Sequence, residues 1–73
     1  MQEKKIELFI PGDLKDEPII YELIKKFGAE VKIIEASFSA ESGWAILVLK
    51  GKSDELDDMI EYLEKKGVNV ETR

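Results

Sequence analysis

The 73-residue chain is long enough for one small domain, carries a formal net charge of −5, and contains no cysteine and no histidine. Disulfides and zinc–cysteine sites are therefore excluded, and the acidity disfavours binding to phosphate backbones or anionic lipid surfaces. No run of residues approaches the ~20 apolar positions of a membrane span, and the start lacks a signal-peptide pattern, so we expect one cytoplasmic domain over residues 1–73. Many charges with few side-chain amides are typical of proteins from hot environments.

The first two predicted elements are a strand and a helix. Residues 5–10 alternate between apolar and polar types, which predicts a half-buried strand with an inner face formed by Ile6, Leu8 and Ile10. The following helix has Pro18 in its first turn, Asp16 or Glu17 as its N-cap, and Gly28 in the left-handed conformation at its end. Its apolar stripe, which we expect to face a sheet, comprises Ile19, Ile20, Leu23, Ile24 and Phe27.

A predicted hairpin forms the middle of the chain. Residues 31–38 are rich in β-branched and aromatic types and predict a second strand, but bulk at both Ile33 and Ile34 leaves its core face undetermined. Residues 39–43 form a hairpin loop, and residues 44–50 form a third strand that pairs antiparallel with the second.

The end of the chain repeats the pattern of the first helix. Ser53 is expected to cap a second helix that ends in two lysines and Gly67, as the first ends in two lysines and Gly28, and a strand with Val68 and Val70 on one side follows. The apolar stripe of this helix comprises Leu56, Met59, Ile60 and Leu63. The βαββαβ order predicts an α+β, ferredoxin-like fold, with a four-stranded antiparallel sheet and both helices on one face.

The sheet face away from the helices, here named the open face, should be polar in a monomer. If Ala45, Leu47 and Leu49 face the helices, however, the open face carries large apolar groups, namely Phe9, Trp44, Ile46, Val48 and either Ile33 or Ile34. Soluble monomers do not normally expose such a continuous apolar face. We expect these residues to form a homodimer interface or to line a small-molecule pocket, and the two arrangements are compatible.

No residue set amounts to a reaction centre, so we expect a non-enzymatic protein without cofactor or metal. The serines have no histidine to deprotonate them. Carboxylates cluster at the start of the second helix, where they complement the helix dipole better than they fit a metal site; they are Asp54, Glu55, Asp57 and Asp58.

Two other classes of protein share this topology, and the sequence disfavours membership of either. The third strand superficially resembles that of RNA-recognition domains, but Ser42 replaces the basic residue, and Ile46 and Leu49 replace stacking aromatics. Acylphosphatases hold phosphate with an arginine-bearing loop, whereas the sole arginine of this chain is Arg73. We therefore expect neither a nucleic acid nor direct membrane insertion among its interactions.

From residue 5 to residue 71 the sequence resembles a NIL domain. The matching segments are Asp16-Glu17-Pro18-Ile19-Ile20, Lys26-Phe27-Gly28, residues 31–34, Gly43-Trp44, and Tyr62-Leu63 with Gly67-Val68. The Asn-Ile-Leu tripeptide that names the family corresponds here to Lys32, Ile33 and Ile34, which keep only the central isoleucine.

The resemblance implies a small regulatory module of ACT-like topology, of the kind attached to the ATPase subunits of bacterial methionine importers and to some ferredoxin-type iron–sulfur proteins. In the importers such domains pair and bind methionine. We therefore expect an amino-acid sensor that acts near a homodimer interface and contacts its ligand through Lys32, Ile33 and Ile34. The ligand carboxylate would pair with Lys32 or with free N–H groups at a helix start. The alternative is a domain that docks a transporter or iron–sulfur partner through the open face.

Overall fold

The computed structural model describes residues 1–14 and 16–73. Its elements, in chain order, are β1 (Gln2–Ile10), a 3-10 turn (Gly12–Leu14), α1 (Ile19–Lys26), β2 (Glu30–Phe38), β3 (Gly43–Gly51), α2 (Ser53–Lys65) and β4 (Asn69–Thr72). The strands form one antiparallel sheet in the order β2-β3-β1-β4, and both helices pack on one of its faces. The predicted ferredoxin-like fold is confirmed.

A single core lies between the helices and the sheet. In β3 the burial alternates along the strand, so that Leu47 and Leu49 are fully buried while Ile46 and Val48 are only half-buried on the open face. The strand register places Ile6 opposite Leu47. The core residues come from both helices, the two central strands and the segment after α2; they are Ile6, Leu8, Ile10, Ile19, Leu23, Ala45, Leu47, Leu49, Leu56, Met59, Leu63 and Val68.

A β-bulge in β2 explains the irregular apolar pattern of this strand. Ile33 pairs with Leu47 and Glu35 pairs with Ile46, whereas Ile34 between them has no Cα partner in β3. Because directly opposite residues of antiparallel strands share a face, Ile33 lies on the helix side and Glu35 on the open face. Of the two isoleucines considered for the open face, Ile33 therefore does not lie there.

The starts of both helices differ from the predicted caps. Pro18 occupies the N-cap position of α1 without a side-chain hydrogen bond, so neither Asp16 nor Glu17 caps this helix. The Glu17 carboxylate instead accepts a hydrogen bond from Lys66 Nζ at 3.0 Å. Ser53 is the first helical residue of α2 rather than its cap. At the start of α1, a partner from a distant part of the chain has therefore replaced the predicted local contact of Glu17.

The two helices also end in different ways. α1 ends because Phe27 is extended, with φ −116° and ψ 152°, and Gly28 is not left-handed as predicted. Gly67, after α2, has φ +99° and does adopt the left-handed conformation. The two glycines occupy equivalent places in the sequence repeat but have different structural roles.

Candidate functional site

An apolar surface, here named the edge surface, runs along the outer side of β2 and the adjacent side of α1. It consists of Ile24, Ile33, Ile34 and Phe38, whose exposed fractions are 47%, 52%, 46% and 58%. β2 is the outermost strand on its side of the sheet, so one side of its backbone has no partner strand within the described residues. Exposed apolar side chains along an unpaired strand favour an interaction with another molecule.

The edge surface remains uncovered because α1 is short. Its 8 residues span about 12 Å, whereas the 9 residues of β2 span about 30 Å. The opposite side of α1 faces α2, since Glu22 accepts a hydrogen bond from Lys66 Nζ at 3.1 Å and the Lys26 ammonium lies 5.5 Å from the centre of the Tyr62 ring. Ile24 lies about 160° around the helix from Glu22 and therefore faces the outer edge of β2. The expectation that Ile24 packs on the sheet is wrong.

The three predicted ligand residues lie together on β2 but point in different directions. Lys32 pairs with Val48 and lies on the open face, Ile33 lies on the helix side, and Ile34 is the extra residue of the bulge. All three are exposed, and within the described residues Lys32 forms no ion pair. A ligand that contacts all three must lie against the outer edge of the strand rather than on either face.

The bulge also brings two opposite charges to one face. Lys32 and Glu35 are three residues apart, a spacing that sets side chains on opposite faces of a regular strand. Here both oppose open-face residues of β3, Val48 and Ile46, because Ile34 interrupts the alternation. The same short segment thus offers a cation, an anion and two exposed isoleucines.

A groove of about 310 Å³ lies between the start of α1 and the β2–β3 hairpin. Its apolar lining includes Ile10, Leu14, Pro18, Ile20 and Phe38. The start of α1, a helix start of the kind considered for the ligand carboxylate, lines this groove, whereas Ile33 does not. Sequence reasoning missed the groove because its walls come from separate segments.

The polar rim of this groove is largely occupied by bonds within the protein. Ser39 Oγ donates to the carbonyl oxygen of Ser42 at 3.1 Å and accepts from the backbone N–H groups of Glu41 and Ser42 at 3.3 and 3.2 Å. The Glu17 carboxylate is bonded to Lys66. The groove therefore offers mainly apolar contact.

The open face mixes apolar and charged residues. The four predicted interface residues lie on it, with Phe9 44% exposed and Trp44, Ile46 and Val48 half-buried. Charged side chains of neighbouring strands flank them; these are Lys5, Glu7, Lys32, Glu35 and Glu71. The Arg73 guanidinium donates a hydrogen bond to the Glu7 carboxylate at 2.6 Å, and this hydrogen bond raises the pKa of the guanidinium. The face is less continuously apolar than the sequence alone indicates.

Two members of the acidic cluster at the start of α2 bind groups elsewhere in the chain. Asp57 pairs with Lys4 at 2.6 Å, and the Glu55 carboxylate accepts a hydrogen bond from the backbone N–H of Gly28 at 3.1 Å. Across residues 1–14 and 16–73, no group of three or more acidic side chains is arranged to hold a metal ion. Over the same ranges, no helix has the length and apolar character required to cross a membrane.

Comparison with known proteins identifies the family. The model of the NIL domain matches residues 4–72. The chain belongs to the NIL domain family. This NIL domain is 25% identical over 72 residues to "Methionine import ATP-binding protein MetN 2" of Bacillus licheniformis, in an alignment that covers 93% of the chain and 21% of the relative. It thus spans about a fifth of the curated relative it matches.

Solved structures agree with this assignment. The C-terminal domain of an ABC transporter ATP-binding protein from Enterococcus faecalis superimposes with a TM-score of 0.80 and 26% identity, covering 94% of this NIL domain and 81% of that chain. The designed protein Ferredog-Diesel matches with a TM-score of 0.62 and 17% identity, covering 99% of this chain and 84% of its own, which supports the fold alone. The Bacillus licheniformis relative and the Enterococcus faecalis structure are both described as ATP-binding proteins of import or ABC transport systems.

Proposed function

We propose that this NIL domain is a non-catalytic, cytoplasmic regulatory module that binds an amino acid such as methionine near a homodimer interface. The carrying observation is the bulged segment of β2, where Lys32, Ile33 and Ile34 are adjacent and exposed on the outermost strand of the sheet. These residues correspond to the tripeptide that names the family. The similarity to a methionine import ATP-binding protein supports the choice of ligand class.

The chemistry of this segment suits a zwitterion with an apolar side chain. The Lys32 ammonium would pair with the ligand carboxylate, and the Glu35 carboxylate, on the same face, would pair with the ligand ammonium. The ligand side chain would bury its methylenes against Ile33 and Ile34, which are 52% and 46% exposed without it. Lysine in place of the asparagine of the family changes a neutral amide into a cation, which favours ligands with an accessible carboxylate.

A titration of the ¹⁵N-labelled domain with each of the twenty amino acids tests the proposal. We expect methionine or another apolar amino acid to shift amide resonances within residues 30–38. If none of the twenty amino acids shifts the amide resonances of this segment, the proposal is wrong. Shifts confined to Ser39, Ser42 and Gly43 would place the ligand in the groove instead.

Two lysine variants sharpen the test. Lys32→Met removes the cation that would hold the carboxylate, so we expect it to weaken binding. Lys50→Met is the matched control, since Lys50 is also exposed but lies on β3, opposite Glu30, and not on the outermost strand. Equal binding by both variants would contradict a role for Lys32.

A second candidate function is the docking of a transporter or iron–sulfur partner through the open face. The exposed ring of Phe9 beside Trp44, Ile46 and Val48 favours this candidate. A Phe9→Ser variant would then weaken binding to a purified ATPase subunit, whereas Phe38→Ser, on the other face, would not. Equal effects of the two substitutions would contradict docking at the open face.

A further inference from the structure

We infer that two copies of this chain pack with their open faces together, turned so that a row of acidic side chains in each copy lies over a row of basic side chains in the other. The proposed function is needed here only for the presence of a second copy. The arrangement of charges that the strand register produces on the open face carries the inference.

Two rows of charged side chains cross the open face at right angles to the strands. The acidic row flanks Ile46 of β3 and comprises Glu35 of β2, Glu7 of β1 and Glu71 of β4. The basic row flanks Val48 of β3 and comprises Lys32, Lys5 and Arg73. Arg73 continues the register of β4, since its backbone N–H donates to the carbonyl oxygen of Lys5 at 2.7 Å. The rows lie two residues apart along β1 and β3, which is about 7 Å.

The bulge of β2 completes both rows on the outermost strand. Lys32 opposes Val48 and Glu35 opposes Ile46, with Ile34 as the extra residue between the two pairs. In a strand without a bulge, residues three positions apart point to opposite faces. Glu35 would then face the helices, and the acidic row would lack its member on β2.

In a single chain these rows set like charges beside one another. Glu7 pairs directly with Glu71, and Lys5 lies beside Arg73. Like charges opposite one another on paired strands are destabilising. The contact of Glu7 with Arg73 at 2.6 Å relieves part of this repulsion. Within the described residues the other four members of the rows form no ion pair; they are Lys5, Lys32, Glu35 and Glu71.

A second copy offers the complementary surface in one orientation. A two-fold axis that lies between the two rows and crosses the strands brings each acidic row over the basic row of the other copy, with Glu7 over Lys5. The other contacts of this kind join Glu71 to Arg73 and Glu35 to Lys32, and each occurs twice. An axis parallel to the strands would instead set acidic over acidic and basic over basic. Charge complementarity therefore selects the first orientation.

The same orientation covers apolar side chains of β3. Ile46 and Val48 belong to different rows, so each would lie over the other residue in the second copy. Both are half-buried in the single chain, and their further burial favours association. Trp44, the next open-face residue of β3, would lie against the far end of β3 in the other copy. Since paired charges that lose water contribute little net affinity, the apolar contacts supply the attraction and the rows fix the orientation.

Sedimentation equilibrium tests the pairing. It is run without amino acid, because the proposed ligand would compete for Lys32 and Glu35. We expect a mass of at least twice the 8.3 kDa of one chain at high concentration. Lys5→Glu and Glu7→Lys each set like charges over one another at two symmetric positions, so each should raise the dissociation constant by roughly tenfold or more. Lys65→Glu, the same change of charge on α2, should leave it unchanged.

Mixtures of variants test the orientation. When a Lys5→Glu chain pairs with a Glu7→Lys chain, both contacts again join opposite charges, so this mixture should recover the wild-type affinity. A mixture of Lys5→Glu with Glu71→Lys has the same net charge, but position 71 faces position 73 and not position 5. It should not recover. Equal recovery by both mixtures would overturn the inference, because net charge and not the orientation would then govern association.

A second pair of variants and a second readout guard against misfolding. Circular dichroism of each dilute variant establishes that it is folded. If Glu7→Lys does not fold, Arg73→Glu mixed with Glu71→Lys makes the same test on β4. Trp44 is the sole tryptophan, and acrylamide should quench its fluorescence less as the concentration of the chain rises. Equal quenching of the associated and dissociated chain would overturn the inference.

Failure of the pairing is distinguishable from failure of the proposed function. A chain that stays monomeric at all concentrations, or whose association Lys5→Glu leaves unchanged, overturns the face-to-face pairing even if methionine still shifts residues 30–38. If no amino acid binds but the mixture of Lys5→Glu and Glu7→Lys recovers, the pairing is supported and the amino-acid proposal is wrong.

Discussion

The ring of Phe38 packs directly against Gly43, its partner across the β2–β3 pair. A Cβ atom at position 43 would overlap the ring, so Gly43→Ala must push an already exposed ring away from the sheet. Because the ring is exposed and can move aside, we expect this substitution to cost only about 0.5–1.5 kcal/mol in urea denaturation, the cost of an off-rotamer side chain. In a Phe38→Ala variant the ring is absent, so Gly43→Ala should lower the free energy of unfolding clearly less. Equal costs in both backgrounds would show that the ring does not cover Gly43.

The glycines after the two helices should respond in opposite ways to alanine. Gly67 has φ +99°, so Gly67→Ala should cost about 1–2 kcal/mol. Gly28 does not have a positive φ, and an added Cβ would make an ordinary 3.7 Å contact with Glu55 Oε2. Gly28→Ala should therefore be neutral or stabilise by up to about 1 kcal/mol, because alanine restricts the unfolded chain. Thermal unfolding of the two variants compares them, and a larger loss at Gly28 would contradict the observed backbone.

Neighbouring residues of β3 offer a test of the two sheet faces. Leu47 is fully buried under the helices, and Leu47→Ala should destabilise the domain by about 2–5 kcal/mol. Ile46 is half-buried on the open face, so Ile46→Ala should cost clearly less. Denaturant titrations at low protein concentration keep any association out of the comparison. Similar losses for both variants would mean that the open face is covered within one chain.

Lys66 connects the two helices, and this connection should weaken at alkaline pH. Its ammonium donates to Glu17 at 3.0 Å and to Glu22 at 3.1 Å, and these hydrogen bonds raise the pKa of the ammonium above its usual value. The stabilising contribution is therefore complete below the unfolded pKa of about 10.4 and is lost as the pH rises through the higher folded pKa.

Lys66→Met should accordingly lower the melting temperature at neutral pH and lose less stability than the wild type on further alkalinisation. Lys65→Met is the control, because among the described residues Lys65 pairs only with Glu61 of its own helix, at 2.9 Å between exposed side chains. The melting temperature measured across the alkaline range checks both. Parallel pH profiles for wild type and Lys66→Met would refute the connection.

Local sequence patterns were sufficient to predict the fold and to assign the buried face of the strands that have one. The alternation in β1 and β3 correctly assigned Leu8 and Leu47 to the core, because burial on one side imposes a period of two. β2 could not be assigned in this way. Its bulge depends on how Ile33 and Glu35 pair with β3, which no short window of sequence contains.

The helix caps and the groove were missed for a related reason. The sequence predicts Asp16 or Glu17 as the cap of α1, but a lysine more than forty residues away occupies the Glu17 carboxylate. The groove has no local signature, since Leu14 and Phe38 become neighbours only when the hairpin packs beside the start of α1. The family resemblance indicated residues 32–34 as the proposed ligand segment, and the structure shows how these residues divide between the two faces of β2 and its bulge.

The difference in length between α1 and α2 has a consequence for internal motion. With 8 residues above one half of the sheet and 13 above the other, the two halves are shielded unequally from solvent. Amide protons of β2 should therefore exchange with deuterium sooner than those of β1, which hydrogen-bonds to strands on both sides. A molecule that binds to β2 would reduce the local opening of this strand and slow the exchange of its amide protons. If the domain binds an amino acid as proposed, such ordering would let it signal occupancy without a large change of shape.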